Sequence, residues 1–241
     1  MRAEDVEEGI KSSLRKLQLD YVDLFLLHCP FGVLNDGSFN LKEGSFKLDM
    51  GTDHVSLWKA MEEQVDAGRT KSIGISNFNE DQVVRLMKNA RIQPACNQVE
   101  LNAKFRQKPL TELCNKYNIR MVAYAPIGSP GLADAYSEQG LTKETLANLL
   151  TNETVKSIAT AHGKTPAQVL LNHLITSGVV VIPKSVKPHR IKENFDIFNF
   201  TLSSEEISEL DALDRGLKGR AFVFSKVFPG AETHPEYPFE I

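Results

Sequence analysis

The chain has 241 residues, of which 41% are hydrophobic, 24% charged and 8% aromatic, an ordinary globular composition with enough length for a sizeable core. A formal net charge of −3, with no long basic run, argues against a nucleic-acid or membrane-surface protein. The longest apolar stretch, around 178–183, is far too short to cross a bilayer, and Met1 leads straight into the charged segment RAEDVEEGIKSSLRK without a secretory signal. Val6, Ile10, Leu14 and Leu17 fall on one helical face. A compact strand is predicted at 21–28, then a long polar loop with several glycines. Val55, Trp58, Met61 and Val65 form the next helical stripe, with Gly68 placed to end it. SIGISN (72–77) reads as a strand, and Asn79 can cap the helix that carries Val83, Val84 and Met87. PACNQVEL (94–101) is a third strand, followed by a short helix around 110–117, and IRMVAYAP (119–126) is a fourth. Two helices are predicted at 144–161 and 166–176, before VVVIPKS (179–185) supplies a fifth strand.

Three cysteines, Cys29, Cys96 and Cys114, show no C-x-x-C spacing and read as reduced thiols, which points to a cytoplasmic location. Short buried strands alternating with helices imply parallel pairing through crossover connections, and the even composition implies one domain over 1–241. A doubly wound sheet and a TIM barrel both satisfy that rhythm. No G-x-G-x-x-G follows the first strand, which weakens the dinucleotide version of the former. The polar residues decide further. Each strand ends in groups suited to chemistry: His28, then Ser76 and Asn77, then Gln98 and Glu100, then Tyr124, then Lys184 and Ser185. In a TIM barrel such tips share one face, where active sites are built.

Serine, asparagine and glutamine together suit a carboxamide, and a tyrosine offers a flat face to an aromatic ring. A histidine can donate to a carbonyl oxygen, and Lys184 with Arg190 can hold a phosphate. Those parts describe a nicotinamide dinucleotide pocket better than a hydrolase. Taken singly, each has a plainer reading: a core histidine at His28, packing at Tyr124, a solvated cation at Lys184 or Arg190.

The segments SLRKLQLDYVDLFLLHCP, LWKAMEEQVDAGRTKSIGISNFN, ACNQVELN, VAYAPIGS and VIPKSVKPHRIKEN, in that order, make the chain resemble the aldo-keto reductases, NADPH-dependent carbonyl reductases built on a TIM (β/α)8 barrel. The resemblance runs from the first helix nearly to the C-terminus and implies reduction of a small-molecule aldehyde or ketone by hydride from NADPH. It gives His28 the role of the catalytic histidine that orients the substrate carbonyl. It assigns Ser76, Asn77 and Gln98 to the nicotinamide carboxamide, and Tyr124 to stacking on the ring. Lys184, Ser185, Arg190, Glu193 and Asn194 fall to the adenosine end, with Lys184 and Arg190 beside the 2′-phosphate. Two cations there imply NADPH over NADH. The full-length form is expected to be a monomer, and charge and residue spacing give no nucleic-acid or membrane partner and no metal. The aromatic tail at 214–241 is expected to fold over the substrate pocket, with Phe222, Phe224 and Phe228 as candidate contacts.

Departures from the family pattern also carry expectations. Cys29 stands where a large aromatic is common, which widens the substrate pocket on that side. Ala125 replaces a serine, and Gly131 lies near where a cofactor-clasping loop tends to carry an aspartate. Five strands are legible where a barrel has eight. The expectation is therefore an incomplete barrel, the last five βα units and the tail, lacking the family's aspartate, its acid tyrosine and the lysine beside it. General acid catalysis is worth about 10²–10⁴-fold, so a chain without it is expected to be impaired or inactive as given. The alternatives are a non-catalytic dinucleotide-binding protein derived from the family, and an unrelated barrel hydrolase pairing Glu100 with His28. The second lacks a partner carboxylate. His54, His162, His173, His189 and His234 show no metal spacing and read as packing or surface residues.

Overall fold

A computed structural model describes residues 2–34, 46–131 and 148–239. They pack as two compact units, one of Met1–Gln98, Glu112–Arg120 and Val223–Ile241, the other of Val99–Thr111 and Met121–Phe222.

In the first unit, the helix Val6–Leu17 buries Val6, Ile10 and Leu14 as its stripe predicts, while Leu17, in the last turn before a left-handed Gln18, is exposed. Strand β1 (Val22–Leu27) follows. The polar loop beyond it holds a two-residue hairpin, β2 (Gly32–Val33) against β3 (Leu48–Asp49), too short to leave a periodic signature; residues 35–45 of that loop lie outside the described residues. Asp53 caps the helix His54–Asp66 by accepting from Val55 N at 3.0 Å. Its buried face runs through His54, Leu57, Trp58, Met61 and Gln64, whereas Val55 and Val65 are only half-buried. The apolar stripe misplaces that face because polar groups on it have partners: Glu62 Oε1 accepts from Arg91 N (2.7 Å) and Ile92 N (2.9 Å). Gly68, at φ +69°, ends the helix in the left-handed conformation.

Strand β4 (Thr70–Ser76) runs parallel to β1 with Leu27 opposite Ile75, and β5 (Cys96–Glu100) runs parallel to β4 with Ser76 opposite Gln98. Between them, Asn79 and Gln82 form a reciprocal capping box on the helix Glu80–Met87. Strand β6 (Arg120–Tyr124), like β5, passes through both units.

In the second unit, Leu101 N donates to Tyr124 O at 3.2 Å where β5 and β6 end, and β6 pairs in parallel with β7 (Val180–Val181). The predicted strand 179–185 shrinks to these two residues plus one bond, Ile182 N to Ala123 O. Pro183 then has no N–H to continue the ladder. The predicted helix 144–161 begins later, at Glu153–His162, capped by Asn152; Leu149–Thr151 form a 3₁₀ turn, and 144–147 lie outside the described residues. Thr165 and Gln168 box the start of Pro166–Thr176. The helices Pro188–Phe195 and Ser204–Asp211 complete the unit. Leu149, Val155, Ile158, Val169, Leu170, Leu202 and Leu210 form its core, each worth about 1.5–3 kcal/mol of burial. Parallel strands joined by helices make this an α/β fold. Among the described residues, no helix is long and apolar enough to cross a membrane.

Candidate active site

In the first unit the C-terminal ends of three parallel strands meet in one hydrogen-bonded cluster. Ser76 Oγ donates to Gln98 O at 2.7 Å, and Asn77 N donates to the same carbonyl at 2.9 Å. Asn77 Nδ2 then donates to His28 O (2.9 Å) and to Ser76 Oγ (3.1 Å). Ser76 and Asn77 are buried, and Asn77 holds φ +63°, a left-handed turn that asparagine tolerates and that ends β4 abruptly. His28 itself is exposed at the tip of β1, so it is not a core histidine. The Gln98 side chain is half-buried, and its amide makes no hydrogen bond among the described residues. A free amide beside a fixed Ser–Asn pair leaves hydrogen-bonding capacity for a ligand.

His28 and Cys29 line a cavity of about 460 Å³ with Phe25, Leu27, Phe31 and Phe228. Burial pushes the Cys29 thiol up to about 11, which makes it an inert wall group and not a nucleophile. Phe224 lines neither this cavity nor the next; it packs edge-on to Phe31, with ring centroids 5.6 Å apart, and against Phe239 at 5.0 Å.

The second unit holds a cavity of about 960 Å³. Tyr124, Lys184, Ser185, Arg190, Glu193, Asn194 and Phe222 all line it, as do Ala125 and Gly131. Arg190, Glu193 and Asn194 reach it together because positions i, i+3 and i+4 share a face of the helix Pro188–Phe195. Ser185 Oγ accepts from Lys187 N at 3.2 Å, which tightens the turn into that helix. Among the described residues no carboxylate lies within ion-pair range of Lys184 or Arg190. Two cations without counter-ions beside a roomy cavity fit a phosphate-bearing ligand. Ala125, directly after β6, holds φ +51°, a conformation that costs a non-glycine residue roughly 1–3 kcal/mol.

Some lining residues escaped the sequence reading. Thr165, Pro166 and Ala167 border the same cavity, and their signal was present as a Thr-Pro helix start. Glu100 has a role the hydrolase alternative did not foresee. It is 1% exposed, and its Oε1 and Oε2 accept from Ala221 N (2.8 Å) and Phe222 N (2.9 Å). The remaining histidines divide by environment. His54, His173 and His234 are buried, with Pro30 O, Asp211 Oδ1 and Asp49 O respectively as partners, and His162 meets Glu206. No metal-holding group of His, Cys, Asp and Glu occurs among the described residues.

These features define an α/β protein with polar groups at the carboxyl ends of its parallel strands, the place where open α/β sheets bind ligands. The sequence pattern of the Aldo/keto reductase family matches residues 1–215. Prostaglandin F synthase 1 of Bos taurus is 37% identical over 242 residues, taking in 99% of this chain and 71% of that protein. Aldo-keto reductase family 1 member A1 of Cricetulus griseus is 36% identical, over 98% and 72% respectively. Among solved structures, an aldose reductase from Schistosoma japonicum superposes with a TM-score of 0.84 at 37% identity, covering 99% of this chain and 71% of its own. A Bombyx mori aldo-keto reductase solved in complex with NADP gives 0.82 at 31% identity, over 99% and 70%. The chain belongs to the aldo/keto reductase family.

Proposed function

We propose that this chain is an NADPH-dependent oxidoreductase that reduces aldehydes and ketones to alcohols, on a sheet belonging to the (β/α)8 barrel architecture. The observation that carries the reading is the cavity of about 960 Å³ in which Tyr124 and five adenosine-end candidates, two of them uncompensated cations, converge. Bound NADPH supplies the hydride. Lys184 and Arg190 would pair with its 2′-phosphate, Ser185, Glu193 and Asn194 would hold the adenosine, and the Tyr124 ring would stack on the nicotinamide. Ser76, Asn77 and Gln98 would grip the carboxamide, selecting the ring face. His28, exposed next to an apolar cavity, would donate to the substrate carbonyl oxygen, with Cys29 and Phe228 as walls. The three unpaired thiols support a cytoplasmic protein; the reading is completed by a monomer that acts on a small-molecule carbonyl compound.

Calorimetric titration of the whole chain with NADPH and NADH tests this. Arg190→Ala and Lys184→Ala should each weaken NADPH about tenfold or more, since a charged hydrogen bond is worth about 1.5–3 kcal/mol, and should barely change NADH. Equal wild-type affinity for the two coenzymes, or no binding by a folded chain, overturns the reading. A parallel carbonyl-turnover assay separates an enzyme from a relative that binds dinucleotide without catalysis.

A further inference from the structure

We infer that Glu100 is a positioning residue, whose buried carboxylate holds segment 219–222 so that the Phe222 ring stands edge-on to Tyr124 at the wall of the large cavity and completes the surface on which a nicotinamide ring stacks. The inference rests on the cofactor reading given above.

Glu100 ends β5, and the next residue, Leu101, donates its N–H to the Tyr124 carbonyl, so the strand ends that carry the carboxylate and the tyrosine are bonded to each other. The two carboxylate oxygens take consecutive backbone N–H groups, those of Ala221 and Phe222. Two adjacent N–H groups, one to each oxygen of a single carboxylate, form an anion-seeking pair that a neutral side chain of similar volume satisfies poorly. The segment is pinned elsewhere too. Arg215 N donates to Lys104 O at 2.8 Å, and the Arg220 guanidinium lies 4.6 Å from the Phe105 ring centroid. Gly219 lies so close over the Lys104 carbonyl that a Cβ there would overlap it. What the clamp presents is Phe222, whose ring meets Tyr124 at 5.3 Å between centroids and an interplanar angle of 89°. Both rings face the cavity that Lys184 and Arg190 line. An edge-to-face partner fixes the tilt of a ring whose other face is used for stacking. Burial raises the Glu100 pKa, and the two amide N–H groups, with Arg220 and Lys104 nearby, pull it back.

The probes are NADP+ and adenosine 2′,5′-bisphosphate, which carries the phosphate-bearing end without a nicotinamide, titrated calorimetrically into the whole chain. Glu100→Ala and Phe222→Ala should each weaken NADP+ about three- to tenfold, the range an aromatic edge contact supplies, while the bisphosphate changes by less than about twofold. Glu100→Gln, which keeps one accepting oxygen, should fall between wild type and Glu100→Ala. A folded Glu100→Ala that weakens both ligands equally, or neither, overturns the inference and leaves the cofactor reading standing. Should Glu100→Ala fail to fold, Phe222→Ala decides, and unchanged NADP+ affinity in it overturns the inference. A wild-type chain that binds neither probe removes the cofactor reading and this inference together.

Discussion

Burial governs the reactivity of single residues here. Cys29 sits one residue from the exposed His28, yet its thiol is pushed up to about 11, with Cys96 at about 11 and Cys114 at about 12. At pH 7.5 the Cys29 thiolate is then on the order of one part in a few thousand. Native protein should resist iodoacetamide at all three positions over minutes, and take three labels after denaturation; mass spectrometry counts them. Rapid native labelling at Cys29 would contradict this. The buried histidines make a second prediction. Desolvation lowers the pKa of His54 and of His173, helped at His173 by the Arg106 guanidinium. Below the ordinary value of 6.5 the unfolded chain therefore binds protons that the folded chain refuses. Their contribution is present above 6.5 and is lost as pH falls through the folded values. The urea midpoint should be lower at pH 5.5 than at 7.5, and a flat or rising profile on acidification would refute it. Glu100, raised by burial, acts with the opposite sign, and only between about 4.5 and its folded value.

At the scale of elements, local chemistry starts the helices and a few long-range groups place them. Asn79, Thr165 and Ser203 each accept from the N–H three residues on, while Gln82, Gln168 and Glu206 return the bond. Thr165→Ala should cost about 0.5–2 kcal/mol in urea unfolding without altering the fold. Gly219 is a different case, since the obstacle to a side chain is the Lys104 carbonyl, which cannot move aside as a flexible side chain does. Gly219→Ala should cost about 1–3 kcal/mol and, by shifting segment 219–222, weaken NADP+ as well. Loss of stability with unchanged NADP+ affinity would separate the glycine from the cavity wall.

At the scale of the whole chain, apolar surface remains uncovered on the helix Pro188–Phe195 and just beyond it, with Phe195 81% and Phe198 74% exposed. Exposed aromatics of this kind bind hydrophobic dyes. The native chain should enhance ANS fluorescence, and a Phe195→Ser/Phe198→Ser double variant should lose most of that signal. An unchanged signal would place the dye elsewhere.

The run VDLFLLHCP and the segment SIGISN were legible as strands because apolar and β-branched residues between turn signals have few other uses. Asn79 was legible as a cap because capping is decided within four residues. Tyr124 and Lys184 were singled out from strand ends and Arg190 from its spacing after IPKS and the family resemblance, and the structure lines one cavity with all three. The buried face of His54–Asp66 was not legible, since it turns on Glu62 finding the N–H groups of Arg91 and Ile92. Pattern reading treats a glutamate as solvent-facing until a partner is known. The two-residue strands β2, β3 and β7 were equally out of reach, because a ladder that short has no period to detect.

By itself the sequence determined the α/β rhythm, helix caps such as Asn79, the family and a short list of candidate site residues. All of these rest on side-chain character and on spacing within a turn or a strand. Tertiary structure alone decided which of those residues share a cavity, that His28 stands exposed while Ser76 and Asn77 are buried, and that Glu100 serves the backbone of residues 121 and 122 positions away. A buried carboxylate is tolerated only where donors are aimed at it, and which donors arrive depends on chain closure over distances that local pattern does not encode.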